Sequence, residues 1–284
     1  MDELRAIAMS AQTKWTATPI PRVEMVRAEA CGSQVYQPMI HFVLQGTKSL
    51  SIGDQILHLE PLTYFVIPVD VPAIGQVAPR RPGSPYLALS LTLDPTVIAG
   101  VLDHLDAAVE PVDAPLFCAS TATPELIDAW LRMMRLTSRP GEVSLLAPML
   151  EREILFRVLQ GPQGELLRQM ARSSSRLSHV RRAIDWIRAH FDEAFRVERL
   201  AAMSGMSVAA FYRHFRAITA MTPIQYQKRL RLLMARRMML FEHLDASSVA
   251  FSVGYESSSQ FSREYARMFG LPPVRDISRF RAAA

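Results

Sequence analysis

Apolar residues recur along this chain with two different periods, and the change of period divides it. Residues 1–19 show no firm periodicity and read as a short helix or arm. From Arg22 the alternation has a period of two, in short β-like runs punctuated by Gly, Pro and Asp. Ile40, Phe42 and Leu44 face one way, and His41, Val43 and Gln45 the other. Residues 49–59 read as a hairpin around Gly53-Asp54, and residues 62–67 as an apolar run closed by Pro68. In residues 86–93 Leu87, Leu89, Leu91 and Leu93 oppose Tyr86, Ala88, Ser90 and Thr92. Several short strands separated by turns favour a small barrel or sandwich. From Asp94 the period becomes helical. Asp94 and Thr123 each stand before a proline, the pattern of a capped helix start. A third helix is expected from about residue 144 to 159, with Leu145, Leu146, Met149, Leu150, Ile154, Leu155 and Val158 on a broad apolar face. Gly161-Pro162 breaks it, residues 165–170 make a short helix, and the small polar run RSSSR (172–176) reads as a linker. Ser178 is expected to cap the helix that follows.

Residues 197–216, VERLAAMSGMSVAAFYRHFR, predict two short helices broken by a turn. Ala201 supplies a small residue at the crossing, Gly205 the turn and Ser207 a cap for the second helix. A second copy offers Ala250, Gly254 and Ser257. In register at an offset of 50, Ser207, Phe211, Arg213 and Phe215 match Ser257, Phe261, Arg263 and Tyr265, and Ala220 and Pro223 match Gly270 and Pro273. Between the copies Thr222-Pro223 opens a helix expected to run to about Phe241. Its apolar stripe is Leu230, Leu233, Met234, Met238 and Phe241, and its basic flank is Lys228, Arg229, Arg231, Arg236 and Arg237. At ~1.5 Å per residue such a rod is roughly 28 Å long. That is close to the ~34 Å between successive major grooves on one side of a duplex.

Charge sharpens the division. The net of +5 combines 19 Lys and Arg with 9 Asp and Glu from residue 171 onward (+10), and 13 with 18 before it (−5). A basic unit joined to an acidic one implies that one of the two meets a polyanion. On the two predicted reading helices, Ser207, Ala209, Ala210, Tyr212, Arg213 and Arg216 are left for one groove. Glu256, Ser258, Ser259, Ser262, Arg263 and Arg267 are left for the other. Arg213 and Arg263 are the candidates for bidentate pairing with guanine. With 49% hydrophobic and 21% charged residues the chain reads as globular and cytoplasmic. It shows no basic, apolar leader and no run approaching the roughly 18 residues of a membrane span. Cys31 and Cys118 form neither a disulfide framework nor a metal quartet.

In the β-rich part His41, Gln45, Tyr64 and Tyr86 are either polar contacts of a ligand cavity or ordinary rim and core residues. Leu146, Leu150 and Ile154 face either a second subunit or an internal seam. No cofactor, metal site or catalytic grouping is expected. His58 and Glu60 make one isolated pair, and His41, His58 and His104 lie apart in sequence.

LAAMSGMSVAAFYRHFRAIT, TPIQYQKRLRLLMARRMML and VAFSVGYESSSQFSREYARMFGLPP, within residues 178–281, resemble the DNA-binding domain of AraC/XylS-type bacterial transcription regulators. VLQGTK (43–48), residues 68–72, PYLAL (85–89) and residues 145–155 are similar to the cupin-like regulatory domain of one AraC subgroup. The resemblance implies an α+β chain of two domains. Residues 1–171 would be a cupin-like barrel (about 20–94) with dimerisation helices (about 94–171). Residues 172–177 would be a linker, and 178–284 an all-α domain with two helix-turn-helix units. The expected partners are double-stranded DNA, a second copy of the chain, a small-molecule effector and, for an activator, RNA polymerase, with no membrane. A cupin-type enzyme fused to a DNA-binding domain and an effector-independent regulator are the alternatives. Ala209 and Ala210 depart from the family by being small where many members carry larger side chains.

Overall fold

Alternating residues at 15–92 build nine short strands: β1 (Trp15–Ala17), β2 (Val23–Ala28), β3 (Ser33–Tyr36), β4 (Met39–Gln45), β5 (Thr47–Ile52), β6 (Gln55–Leu59), β7 (Thr63–Ile67), β8 (Val71–Ala78) and β9 (Tyr86–Thr92), with β10 (Ser120–Thr121) added later. This computed structural model describes residues 1–12, 14–29, 32–78, 84–105, 117–242 and 244–283. Cys31 lies outside them. The chain divides into two units, residues 1–32 with 36–178 and residues 33–35 with 179–284.

Two sheets organise the first unit, in the orders β1-β2-β9-β4-β7-β10 and β3-β8-β5-β6. Gly53, at φ 61°, turns β5 into β6, where the hairpin is expected. The alternation in β4 and β9 predicts one covered face, yet every residue of both strands except Gln45 and Thr92 is buried. The cause is a third layer. One face, with Phe42, packs on helices, its ring stacked 6.2 Å from Trp130. The other face, with His41 and Tyr86, looks toward the second sheet.

The helical layer comprises α1 (Asp2–Met9), α2 (Pro95–Leu102), α3 (Pro124–Arg135), α4 (Pro140–Leu159) and α5 (Gly164–Ala171). The N-terminal residues are not a loose arm: Leu4 and Ala8 of α1 are buried, and Arg5 Nε donates to the Leu44 carbonyl at 3.1 Å. Asp94 and Thr123 cap α2 and α3 as their sequence positions predict. Helix α4 begins four residues before the expected residue 144, because Pro140 sits in the first turn, where no backbone N–H is needed.

From residue 179 onward the second unit is helical, and its helices, with α6 entering from just before it, are α6 (Arg176–Ala189), α7 (Val197–Met203), α8 (Val208–Thr219), α9 (Pro223–Phe241), α10 (Ala246–Ser252), α11 (Ser258–Phe269) and α12 (Pro273–Ala283). Helix α6 starts before Ser178, and the capping hydroxyl is that of Ser175, which accepts from Ser178 N at 3.0 Å. Thr222 and Gln225 form a reciprocal capping box at the head of α9. The expected single apolar stripe of α9 is too narrow. Tyr226 and Leu230 are buried, as are Leu232, Ala235 and Met239, which join the core of Val249, Phe261, Tyr265 and Ile277. Phe241, placed on the stripe, is 76% exposed.

Candidate DNA-binding surface

Each reading helix is set by a turn, a cap and a pair of aromatic anchors. Gly205 (φ 63°) follows α7 and Ser207 caps α8, accepting from Ala210 N at 3.3 Å. Gly254 (φ 87°) follows α10 and Ser257 caps α11, accepting from Gln260 N at 3.4 Å. Both reading helices end in a left-handed residue, Ala220 and Gly270. Phe211 and Phe215 are fully buried, with Phe215 edge-on to Tyr226 of α9 at 5.7 Å. Phe261 and Tyr265 are their counterparts in α11.

The opposite faces point outward. Ser207, Ala209, Arg213 and Arg216 are exposed, with Ala210 and Tyr212 half-buried beside them. Glu256, Ser259, Arg263 and Arg267 are exposed, with Ser258 and Ser262 half-buried. Among the described residues Arg213 and Arg263 make no hydrogen bond or ion pair. Two guanidinium groups thus stand available, one at the second turn of each helix, for an anionic or acceptor-rich surface.

Three members of the predicted basic flank of α9 have other work. Arg231 donates to four carbonyls: Phe191 (2.6 Å), Gly254 (2.6 Å), Asp192 (3.0 Å) and Glu193 (3.1 Å). Gln227 adds bonds to the Phe191 and Glu193 carbonyls at 3.0 and 2.6 Å. Arg231 thus fastens the turn after α6 to the turn of the second motif, and Gln227 ties the same turn to α9. Arg236 is spent on Asp276, and Lys228 on Glu264 at 2.9 Å. Glu264 also accepts from Tyr255 and Gln260. Burial opposes the charge of Glu264, but these hydrogen bonds outweigh it and hold the carboxyl below its usual range. On the first motif, His179 Nδ1 donates to the Ser204 carbonyl at 2.8 Å and Ser204 Oγ returns a bond to the His179 carbonyl at 3.1 Å. Apart from the bonds of Tyr255 and Gln260 to Glu264, these fasteners join residues 23 or more positions apart, and spacing alone does not mark them.

Residues 19–166 match the family described as "AraC-type transcriptional regulator N-terminus", more than half of the chain. The chain belongs to the AraC-type transcriptional regulators. Residues 200–278 match a helix-turn-helix domain family, which takes in both reading helices. The chain is 32% identical over 158 residues to the HTH-type transcriptional activator RhaS of Escherichia fergusonii, covering 54% of this chain and 55% of that protein. It is 30% identical over 132 residues to RhaS of Escherichia coli, covering 46% of each. The matched region thus spans about half the length of these curated relatives. A structure of ToxT from Vibrio cholerae with an unsaturated fatty acid bound superposes with a TM-score of 0.55 at 7% identity. It covers 90% of this chain and 94% of that one, a likeness of fold alone.

In the AraC-type N-terminal unit the four candidate ligand residues separate. His41 Nε2 meets the Tyr86 hydroxyl at 2.9 Å between the sheets. Gln45 lies at the strand end, donating to the Pro85 carbonyl at 2.9 Å. Tyr64 does not join them: β4 and β7 pair it with Phe42, on the helix side. There burial pushes its phenol up to about 12, and Gln163 bridges the Tyr64 carbonyl, Val66 N and Ser120 Oγ. The candidate subunit contacts separate too. Ile154 is fully buried inside the unit, while Leu146 and Leu150 line a groove of about 520 Å³ with Arg132, Arg135, Arg139 and Met149. Leu145 and Met149, 70% and 62% exposed, are the outermost apolar side chains of α4. Among the described residues no helix is long and apolar enough to cross a membrane, and no group of three or more His, Cys, Asp or Glu is placed to hold a metal ion.

Proposed function

We propose that this chain is a sequence-specific DNA-binding transcriptional regulator whose α8 and α11 enter two successive major grooves of one duplex. The observation that carries this reading is the pair of capped helices seated on the 19-residue α9, each with an unpaired arginine, Arg213 or Arg263, on its exposed face. Bidentate pairing with guanine discriminates by roughly 1–3 kcal/mol, whereas a phosphate contact carries affinity without sequence information. Tyr212, Ser258, Ser259 and Ser262 supply further polar contacts to base edges, and Ala209 and Ala210 an apolar surface for thymine methyl groups. Arg216 and Arg267, a turn farther on, fit phosphate contacts. RNA polymerase is the further partner if the protein activates transcription, as the names of its RhaS relatives state for them.

Footprinting on genomic DNA, beginning beside the coding sequence of the protein, locates the site. On that site Arg263→Ala is expected to lose about 10- to 100-fold in affinity, with a much smaller loss on random duplex. An equal loss on both would reduce Arg263 to a phosphate contact.

The N-terminal unit, in this reading, pairs two copies and senses a small molecule, so that an effector shifts the arrangement of two DNA-binding units through its differential affinity. Leu145 and Met149, with the half-buried Leu146 and Leu150, are the apolar face offered to the second copy. The double substitution Leu145→Glu, Met149→Glu is expected to turn a dimer into a folded monomer in sedimentation. A wild-type chain that sediments as a monomer at all concentrations removes the pairing.

A further inference from the structure

The two helix-turn-helix units differ in length by one residue. Helices α7 and α10 correspond at an offset of 49, Val197–Met203 against Ala246–Ser252, whereas α8 and α11 correspond at 50, Val208–Thr219 against Ser258–Phe269. The bonds that close the two turns keep the smaller offset. Met206 N donates to the Ala201 carbonyl and Tyr255 N to the Ala250 carbonyl, both at 3.0 Å. Met206 is followed directly by the cap Ser207, but Tyr255 is separated from its cap Ser257 by an added residue, Glu256. Both neighbours of Glu256 are fixed. Tyr255 is buried, edge-on to Phe261 at 5.4 Å, and its hydroxyl donates to Glu264 at 2.9 Å. Ser257 accepts from Gln260 N. Glu256 itself is exposed and, among the described residues, makes no hydrogen bond or ion pair. A carboxylate held at the head of a helix that meets a polyanion is repelled by it. The face of α8 offered to the other groove carries no acid.

We propose that Glu256 is a base-reading residue of the second motif and that it selects a cytosine. The inference rests on the reading that α11 enters a major groove, where the residues at the head of the helix meet base edges. In that groove cytosine shows only its N4 amino donor, which a carboxylate accepts. Adenine sets the N7 acceptor beside its amino group, guanine shows N7 and O6, and thymine shows O4, all of which repel a carboxylate. Glu256 thus gains at one base and loses at the other three, while its repulsion by phosphate weakens binding everywhere else. The step from Glu256 to Arg263 spans roughly 10 Å at ~1.5 Å per residue. That is about three base-pair steps of ~3.4 Å. The cytosine is therefore expected within about three base pairs of the guanine read by Arg263. The offset of 50 that aligns the reading helices conceals the residue, since the insertion shows only in the backbone bonds of the turns.

The test is fluorescence-anisotropy titration of the full chain on its footprinted site, with each base pair under α11 changed in turn. One C·G pair is expected there whose replacement costs the wild type about tenfold or more but costs Glu256→Ala at most about twofold. N4-methylcytosine at that place keeps the pairing with guanine and replaces the major-groove amino hydrogen, so it should cost the wild type about as much. Glu256→Gln should prefer A·T there, since an amide pairs with adenine N6 and N7. On random duplex Glu256→Ala should bind about twofold or more tighter, because a repelled charge is gone. The assignment is overturned if no such C·G pair exists, if N4-methylation has no effect, or if Glu256→Gln keeps the preference for C·G. It is equally overturned if Glu256→Ala changes the affinity for every duplex by one common factor, the mark of a charge at a helix end. If a variant does not melt cooperatively by circular dichroism, the wild-type comparison of cytosine with N4-methylcytosine decides alone. The initial footprint separates the two levels. Absent protection rejects the regulator reading, whereas protection without dependence on a cytosine rejects the role of Glu256 alone.

Discussion

Replacing Gly254 with alanine is expected to destabilise the second unit by about 3 kcal/mol or more, whereas the same change at Gly205 costs only about 1 kcal/mol. Both glycines turn a helix-turn-helix with positive φ, 87° and 63°, so the backbone penalty is shared. The surroundings differ. A Cβ on Gly254 would collide with the Asp192 carbonyl oxygen and come within 2.7 and 2.8 Å of Arg231 Nη2 and Cζ, while one on Gly205 meets nothing nearer than His179 Nδ1 at 3.8 Å. The second turn is pressed against the segment after α6 by the Arg231 clamp, and the clamp has no slack for a methyl group. Urea unfolding followed by circular dichroism compares the two variants. In footprints, Gly254→Ala should lose protection of the half-site under α11 before that under α8. Equal costs at the two positions would mean that the clamp does not press the second turn against the segment after α6.

That contrast marks where sequence reasoning stops. The caps at Asp94, Thr123, Ser207, Thr222 and Ser257 are local devices, and a residue type within four positions of its target reveals them. The anchors Phe211, Phe215, Phe261 and Tyr265 are legible for the same reason, since a helix repeats its face every three or four residues. Long-range partnerships have no such signature. Arg231 and Arg236 look identical to phosphate-binding arginines until the fold brings Gly254 and Asp276 to them. Tyr64 and His41 share an alternating pattern, but the registers of β4 and β7 send them to opposite faces. Ile154 belongs to the apolar run of α4, yet that helix is covered on one side only, and the covered side includes Ile154 while Leu145 and Met149 stay outside.

The largest loss is expected from Asp276→Ala, about 3–5 kcal/mol, because the aspartate neutralises a buried group that cannot follow it into water. Its carboxylate takes bonds from Arg236 Nε and Nη2 at 2.8 and 2.9 Å and from the Tyr265 hydroxyl at 2.7 Å, with the two ionic side chains 4% and 13% exposed. The Arg236 guanidinium is also packed against Phe269 and Phe280, at 4.4 and 4.5 Å from the ring centres, so it cannot swing outward without abandoning both. Tyr265 anchors α11 and Arg236 belongs to α9, so loss of their shared acceptor loosens the reading helix on the rod that positions it. The Lys228–Glu264 pair joins the same two helices with side chains 46% and 20% exposed, and its loss through Lys228→Ala should cost at most about 1 kcal/mol. A double variant, Asp276→Leu with Arg236→Met, removes both charges and is expected to recover much of the single-variant loss, since most of that loss comes from the unpaired guanidinium rather than from the pair itself. Equilibrium unfolding of the three variants distinguishes these contributions. A double variant less stable than Asp276→Ala alone would show instead that the ion pair is a net source of stability and that packing around Arg236 depends on its charge.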